Sequence, residues 1–367
     1  MRDNSSTSGD WTVSMPSYAA MTFLVADNSS VATVSPPGVH LRFVSTLSTT
    51  EDIVVGSYLI VVECMAILLN GSILGLSAWK RRTLKVSDWY VVWLAMSDLG
   101  HPVVGYPMTI SSSFKHAWVY GDIGCQWNAF TGFFFGVNSM ITLAAMSLSR
   151  LFIITQPDFA RQHSNKMAVC LIGFTLLYAL FWAACPFLGW GQYGPEPYKT
   201  SCTLVWDQPD QTFVTAAFIG CLAIPAATMC YSYYRILHLA IRTRHERLKW
   251  SSRSCETRVW EKKEMRLLKI TIIMCASFMV CWTPYSVVAM LKAYSSNIHL
   301  SPSLSVLPAL AAKTSHIIDP VIYCGMNRNF NRIIPELCRR GQEVIIKDHS
   351  LSVPLKGVGK YSAENKD

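Results

Sequence analysis

The sequence predicts an all-α membrane protein, a seven-transmembrane-helix bundle with a short amphipathic cytoplasmic helix after span seven. Of its 367 residues, 51% are hydrophobic and only 15% are charged, which leaves more apolar surface than a soluble protein of ordinary composition carries. Apolar runs of about 20 residues, enough for a helix to cross a bilayer, recur along the chain. Alternation of polar and apolar residues is absent, so uninterrupted helices are predicted. Kinks are expected at the prolines inside these runs, which are Pro186, Pro225, Pro284 and Pro320. The seven predicted spans cover residues 54–79, 88–112, 125–148, 167–190, 211–234, 270–294 and 302–325.

The distribution of Lys and Arg predicts the orientation, because loops rich in these residues stay on the cytoplasmic side. Basic residues cluster after span one and between spans five and six: Lys80, Arg81, Arg82 and Lys85, then Arg242, Arg244, Arg247, Lys249, Arg253, Arg258, Lys262, Lys263, Arg266 and Lys269. We therefore expect a multi-pass protein of the cell membrane with an extracellular N-terminus. Topology accounts for the net charge of +9, so no nucleic-acid partner is predicted.

A polar tail precedes the predicted membrane domain, which covers residues 51–326. Residues 1–50 are rich in Ser and Thr and lack a signal-peptide pattern, so the first span is expected to do the targeting. This segment is predicted to be a disordered extracellular tail. Asn4 and Asn28 begin Asn-Xaa-Ser sequons, which indicate either glycosylation or a chance match in a Ser-rich tail.

The segment after span seven reads "NRNFNRIIPELCRR" and predicts an amphipathic membrane-surface helix at 327–340, in contact with lipid. Cys338 is either a palmitoylation site of this helix or a free thiol. Residues 341–367 are polar and predicted to be a disordered cytoplasmic tail. The chain has twelve cysteines without CxxC spacing, so neither a metal site nor a dense disulfide scaffold is predicted.

Ionisable residues inside the predicted spans are few, and each is a candidate for function because a buried charge is costly in a membrane. They are Glu63, Asp98, Lys313 and Asp319, with His101 and His316 as further candidates. A lysine in an apolar pocket can act as a nucleophile and form a Schiff base with an aldehyde. The alternative is that these groups only pair with one another or with water inside the bundle.

The flanks of Lys313, "LPALAAKTSHIIDPVIY", favour the first alternative. From residue 54 to 340 the sequence resembles the opsin family of class A G-protein-coupled receptors. The stretches "GCQWNAFTGFFFG" and "YGPEPYKTSC" look most like the neuropsin-like branch of the non-visual opsins. Lys313 lies six residues before Asp319, as the retinal lysine of opsins does. Further matching positions are Asn70 in "LLNGSI", Asp98 in "LAMSDL", Cys125, Arg150, Trp190, Cys202, Pro225, Tyr233, Trp282 and Tyr285 in "CWTPY", Tyr323 in "DPVIY", and Phe330.

The resemblance implies that 11-cis or all-trans retinal is attached to Lys313. It also implies a disulfide between Cys125 and Cys202 that ties a loop over the pocket. Residues expected along the retinal, by the same resemblance, are Trp282, Tyr285, Phe278, Gly136, Ala309 and Asn128. Ordinary helix packing is the alternative for each of them.

A protonated Schiff base is a buried cation and needs a nearby anion. Vertebrate visual pigments place Glu one turn after the Cys of span three, but this sequence has Asn128 there. Glu196, six residues before Cys202, matches the loop carboxylate of many non-visual opsins and is the predicted counterion. A solvated loop glutamate or an unprotonated, shorter-wavelength pigment are the alternatives.

The resemblance also implies a G-protein switch formed by Arg150, Glu264, Tyr233 and Tyr323, and a polar membrane core of Asn70, Asp98 and Asp319. Class A receptors usually flank the Arg of span three with an acid and a Tyr. This chain has Ser149 and Leu151, which leaves raised basal activity and poor G-protein coupling both open. Arg150 as an interfacial anchor is the alternative to its switch role.

Three functions follow. The leading one is a light-sensing receptor, not an enzyme, with retinal and a heterotrimeric G protein as partners and with arrestin and a receptor kinase as further implied partners. The second is a retinal photoisomerase with weak or no G-protein coupling. The third is a class A receptor for a diffusible ligand, in which Lys313 is a structural cation.

Overall fold

The bundle consists of nine α-helices within the residues that the structure describes, which are 41–79, 81–205, 210–247, 255–295 and 301–326 of a computed structural model. Their bounds are α1 Thr49–Trp79, α2 Val86–Val104, α3 Tyr106–Phe114, α4 Gly121–Thr155, α5 Pro157–Ala184, α6 Gln211–Ala217, α7 Ile224–Arg247, α8 Cys255–Tyr294 and α9 Pro302–Met326. Spans one, three, four, six and seven are α1, α4, α5, α8 and α9. Span two is α2 with α3, and span five is α6 with α7.

Five stretches of the described chain are long and apolar enough to cross a membrane, by length and composition. They are Thr49–Trp79, Gly121–Thr155, Gln162–Leu188, Gln211–Arg242 and Met265–Tyr294. Large apolar side chains cover the outside of these helices. On α1, for example, Val54, Val61 and Leu68 are exposed at intervals of seven residues, while Leu59 and Val62 are buried. This pattern is expected where a bilayer is the solvent.

The prediction of uninterrupted helices was wrong in span two. The helix breaks at Gly105, between α2 and α3. Pro107 has no N–H to donate to the carbonyl of Val103, which weakens the helix here. The carbonyl of Gly105 accepts a hydrogen bond from Nδ2 of Asn128 at 2.9 Å besides a long one from the N–H of Thr109 at 3.4 Å.

Span five is also interrupted. A π-helical segment, Phe218–Ala223, separates α6 from α7. Pro225, where a kink was expected, lies two residues after Ala223 and cannot donate to the carbonyl of Cys221, so the regular hydrogen-bond ladder is lost at this point.

Helix α4 is the central helix of the bundle. Every residue from Gly136 to Ser147 is buried, and α4 contacts α2, α5, α7 and α8. A helix enclosed on all sides carries side chains toward each neighbour. It can therefore present residues both to a cavity and to the polar core of the bundle.

A short antiparallel hairpin, β1 Tyr193–Pro195 and β2 Cys202–Leu204, covers one end of the bundle and was not predicted. A disulfide joins Cys202 to Cys125 of α4. The segment before α1 packs beside it, since Ser45 Oγ donates to the carbonyl of Tyr198 at 3.2 Å and Thr46 Oγ1 donates to that of Pro197 at 2.9 Å. Hairpin and segment together close this end of the bundle.

Candidate functional site

An internal cavity lies beneath the hairpin, between α2, α4, α6, α8 and α9. The structure places all the predicted pocket residues, the predicted attachment lysine and the predicted counterion on its walls: Asn128, Gly136, Glu196, Phe278, Trp282, Tyr285, Ala309 and Lys313. These residues come from separate helices and from the hairpin. Their convergence on one cavity is a property of the fold that no single motif contains.

Lys313 projects into the cavity from the middle of α9. The hydroxyl of Tyr106 donates to the backbone carbonyl of Lys313 at 2.9 Å. The neighbouring Thr314 pairs its Oγ1 with the hydroxyl of Tyr58 at 2.6 Å. Contacts from α3 and α1 therefore fix the helix on both sides of the amine.

Glu196 enters the cavity from the turn of the hairpin. Its side chain is 2% exposed, and its backbone N–H donates to the carbonyl of Ser201 at 2.8 Å. The hydroxyl of Tyr285 donates to Oε1 at 3.3 Å. Burial raises the pKa of Glu196 to about 7, against the opposing effects of the Lys313 charge and the Tyr285 hydrogen bond. Near neutral pH this carboxyl can thus hold or release a proton beside Lys313.

The second carboxylate oxygen of Glu196, Oε2, is buried without a hydrogen-bond partner among the described residues. A buried, unpaired carboxylate oxygen is costly. An imine proton on Lys313 would be an appropriate partner for such an oxygen.

Asn128 lines the same cavity but uses its amide to join three parts of the structure. Its Nδ2 donates to the carbonyl of Gly105, and its Oδ1 accepts from the backbone N–H of Cys202 at 3.2 Å. The side chain is neutral and has both ends engaged. Asn128 therefore holds the hairpin onto α4 and supplies no counterion.

Aromatic rings form the wall opposite the hairpin. The rings of Phe278 and Trp282 stack with centroids 5.7 Å apart, and Trp282 Nε1 donates to Ser315 Oγ at 3.1 Å. A Cβ at Gly136 would lie 2.5 Å from Cη2 of Trp282, so only glycine leaves room for this indole. The wall thus depends on a small residue facing a large one across α4 and α8.

Comparison with known proteins agrees with this arrangement. The family model "7 transmembrane receptor (rhodopsin family)" matches residues 69–323. The chain is 36% identical over 286 residues to Opsin-5 of Homo sapiens, covering 77% of this chain and 80% of that protein. The chain belongs to the opsins. It resembles the neuropsin-like, non-visual members most.

Two further likenesses extend the comparison. The opsin chain is 30% identical over 296 residues to "Rhodopsin, G0-coupled" of Mizuhopecten yessoensis, covering 79% of this chain and 73% of the relative. The crystal structure of squid rhodopsin superposes with a TM-score of 0.75 at 24% identity, over 82% of this chain and 90% of that one. That structure supports the fold.

Opsins in general carry retinal, and the cavity of this opsin fits such a group. Stacked aromatic rings suit a polyene. A lysine amine and a buried carboxylate with an unpartnered oxygen stand on the same cavity. The donor set therefore suits an aldehyde that becomes a charged imine.

A polar cluster lies beside the cavity of the opsin. Oδ1 of Asp98 accepts from Ser139 Oγ at 2.7 Å and lies 3.4 Å from Nδ1 of His316. Asn70 Nδ2 donates to the carbonyl of His316 at 2.9 Å. Asp319 is buried in the same region. His316 thus links Asn70 to Asp98, while Asp319 lies close enough to Asp98 for the two carboxyl groups to interact electrostatically.

The predicted switch residues lie on the opposite side of the bundle from the hairpin. Arg150 is buried at 6% exposure near the end of α4 and acts electrostatically on Tyr90 and Tyr233. The hydroxyl of Tyr233 lies 3.3 Å from Sγ of Cys275, and Tyr323 is buried. The side chain of Glu264, and Asn4, Asn28, Cys338 and the helix predicted at 327–340, lie outside the described residues.

Several contacts of the site were not predicted. Thr203 reaches the hydroxyl of Tyr285 at 2.7 Å, and Tyr106 reaches the backbone of Lys313. Lys292, in the last turn of α8, also borders the cavity. For the contact between Thr203 and Tyr285, the only signal in the sequence is that Thr203 is a polar residue next to the disulfide cysteine Cys202. Their roles depend on which helices meet.

Proposed function

We propose that this opsin is a light-sensing receptor that binds retinal through a Schiff base on Lys313 and signals to a heterotrimeric G protein after photoisomerisation. The observation that carries the proposal is that Lys313 and Glu196 both line one cavity walled by aromatic rings. An amine alone would be a structural cation. An amine with a carboxylate and room for a polyene is a chromophore site.

Retinal supplies an aldehyde for the imine and a polyene that changes shape when it absorbs light. The residues of the chain do the rest. Glu196 balances the positive charge on Lys313, while Tyr285 and Thr203 orient its carboxylate. Trp282 closes the other wall and is linked to α9 through Ser315. A change of shape between these walls therefore acts on α8 and α9 together.

Coupling to a G protein is supported by the rhodopsin-family match and by a relative whose name states that it is G0-coupled. Arg150 lies buried at the cytoplasmic end of α4. A residue at this place would become accessible when α8 moves outward. The protein then acts as a receptor and turns over no substrate. Arrestin and a receptor kinase are proposed as partners on the same face.

The proposed topology has the N-terminus outside the cell membrane. The disulfide between Cys125 and Cys202 lies at the same end as the segment before α1. Disulfides persist in extracellular rather than cytosolic surroundings. We accordingly propose that residues 1–50 form an extracellular tail, 51–326 the retinal-binding domain, 327–340 a membrane-surface helix and 341–367 a cytoplasmic tail.

A photoisomerase is the second candidate function, and Ser149 with Leu151 is the observation that favours it. Without the usual acid beside Arg150, one restraint on the switch is missing. An isomerase must release its product and accept fresh substrate. Extraction of retinal before and after illumination, together with nucleotide exchange on a G protein, distinguishes the two functions.

The test is an absorption spectrum of the purified protein with 11-cis and with all-trans retinal, in the dark and after illumination, followed by nucleotide exchange on a purified G protein. We expect a light-sensitive band with at least one isomer and light-dependent exchange. Failure of both isomers to form a pigment would contradict the proposal. A pigment that releases isomerised retinal on each turnover without nucleotide exchange would favour the photoisomerase.

A further inference from the structure

The thiol of Cys275 lies where α4, α7 and α8 meet. Cys275 is 4% exposed. The hydroxyl of Tyr233 on α7 lies 3.3 Å from its Sγ, and the thiol donates to the backbone carbonyl of Leu143 on α4 at 4.0 Å. A thiol has a single hydrogen to donate. Because that hydrogen is directed at Leu143, the hydroxyl of Tyr233 is the donor to Sγ, and the three groups form one chain of hydrogen bonds.

The surroundings of this contact contain little that could replace it. Leu143, Met274 and Phe278 belong with Cys275 to one buried apolar cluster, and Tyr233 packs against that cluster. Among the described residues, Sγ of Cys275 is the only hydrogen-bond partner of the Tyr233 hydroxyl. Thiols form weak hydrogen bonds, but a polar group packed among apolar side chains cannot readily exchange a lost partner for water. Breaking this contact therefore costs more than breaking the same contact at a surface.

Cys275 lies directly below the aromatic wall of the cavity on α8. Phe278 and Trp282, whose stacked rings form that wall, follow Cys275 by three and seven residues. Side chains at this spacing project from one face of a helix. A displacement of Trp282 by a chromophore is therefore carried along α8 to the thiol.

The partners of the thiol lie beside the predicted switch. Leu143 precedes Arg150 by seven residues on α4, which places both side chains on the same face of that helix, about two turns apart. Tyr233 is itself a predicted switch residue. In the described part of the chain, α8 packs extensively on α9 but touches α7 little. An outward movement of α8 thus separates Cys275 from both Tyr233 and Leu143.

We propose that Cys275 tethers α8 to α4 and α7 in the dark and that photoisomerisation releases this tether. This inference rests on the proposed function, because it concerns the step between the chromophore and the G protein. Cys275 is a positioning residue, which acts through the place that it gives to α8. Part of the stability of the resting state then comes from one contact between a thiol and a phenol. Variants that lose the contact favour the released state without light.

The first test uses full-length protein in lipid nanodiscs and measures alkylation of Cys275 by N-ethylmaleimide. Mass spectrometry of the peptide that contains Cys275 gives the rate in the dark and in the light. The buried thiol reacts when α8 moves away from its neighbours, so the rate reports the population of the released state. We expect Tyr233→Phe, which removes one oxygen and keeps the ring, to raise the dark rate by about 2–10-fold. Tyr234→Phe, at the exposed tyrosine next to it, is the matched control and should react as wild type.

The second test addresses the thiol itself through basal nucleotide exchange on a purified G protein. Cys275→Ala should raise the exchange without light by about 2–10-fold, whereas Cys275→Ser keeps a donor and an acceptor and should stay near wild type. The double variant of Tyr233→Phe and Cys275→Ala should not exceed the larger single effect, because both changes break the same contact. Cys281→Ala, at another buried free cysteine of α8, is the control.

An unchanged dark alkylation rate in Tyr233→Phe would overturn the proposal, as would effects of the two substitutions that multiply in the double variant. Failure of the proposed function gives a different result, because the alkylation assay needs no G protein. Slow dark alkylation in wild type and faster dark alkylation in Tyr233→Phe, without light-dependent nucleotide exchange, would contradict signalling to a G protein and leave the tether intact.

Discussion

The hydroxyl of Tyr285 donates a hydrogen bond to Oε1 of Glu196 at 3.3 Å, while Oγ1 of Thr203 lies 2.7 Å from the same hydroxyl. The hydroxyl oxygen of Tyr285 thereby links α8 to Glu196 in the turn of the hairpin and to Thr203 in β2. This hydrogen bond favours the charged carboxylate. The counterion of the proposed pigment is therefore held by α8, the helix that is proposed to move.

Removing that hydroxyl should change the titration of the pigment. Tyr285→Phe loses the hydrogen bond that lowers the pKa of Glu196, so the carboxyl should take up its proton at higher pH. We expect the acid-induced change of the visible band to move upward in pH by about one unit. Tyr193→Phe, which removes a hydrogen bond to the carbonyl of Ala183 in the same loop, is the control. Identical titrations in both variants and wild type would argue against the link.

Neutralising the carboxylate of Glu196 should change the absorption spectrum more than removing the Tyr285 hydroxyl does. In Glu196→Gln no anion faces the imine, so the dark pigment should lose its proton and shift toward the near-ultraviolet at neutral pH. Added halide should partly restore the visible band by supplying an anion. A pH titration of the spectrum provides the measurement. If Glu196→Gln titrates as wild type does, Glu196 is not the counterion, and Glu63→Gln is the variant to titrate next.

The same residue should make the stability of the retinal-free protein depend on pH. The pKa of Glu196 rises from 4.5 in the unfolded chain to about 7 in the folded one, so the folded state binds more protons between these values. Stability should fall as pH rises through that interval, by about 3 kcal/mol for this one group. Melting temperatures at pH 5 and pH 8 measure the effect. Glu196→Gln should lose less stability than wild type between the two, and an equal loss in both would contradict the assignment.

The disulfide should be needed for folding. Cys125 and Cys202 close a loop of 77 residues in sequence separation, and removal of a native disulfide typically costs about 2–5 kcal/mol in small secreted domains. Cys125→Ser and Cys202→Ser should therefore reach the cell surface poorly. Cys170→Ser, at an exposed free cysteine of α5, is the control. Mass spectrometry of non-reduced protein is decisive, because two free thiols in well-folded protein would exclude the bridge.

Much of the site was predictable because its signals are local in sequence. Lys313 and Asp319 lie on one helix at a spacing that opsins share, and long apolar runs indicate spans without reference to their neighbours. Glu196 was predicted in the same way, from its position six residues before Cys202. Each of these features can be read within one segment.

The remainder depends on contacts between segments. The break at Gly105 is accompanied by a hydrogen bond from Asn128, which lies 23 residues away in sequence. The hydrogen bond between Tyr285 and Glu196 spans 89 residues. Nothing near Asn128 in the sequence indicates that its amide joins α4 to Gly105 and Cys202. Such contacts exist only once the helices have packed, so periodicity and spacing cannot reveal them.

The central claim is that Lys313 carries the chromophore. The most direct measurement is borohydride reduction of the retinal-loaded protein followed by mass spectrometry, in wild type, Lys313→Ala and Lys292→Ala. Lys292 is the matched control because it also borders the cavity. We predict a retinyl adduct on Lys313 in wild type and in Lys292→Ala, and neither adduct nor light-sensitive band in Lys313→Ala. A normal light-sensitive band in Lys313→Ala, without added amine, would contradict the account.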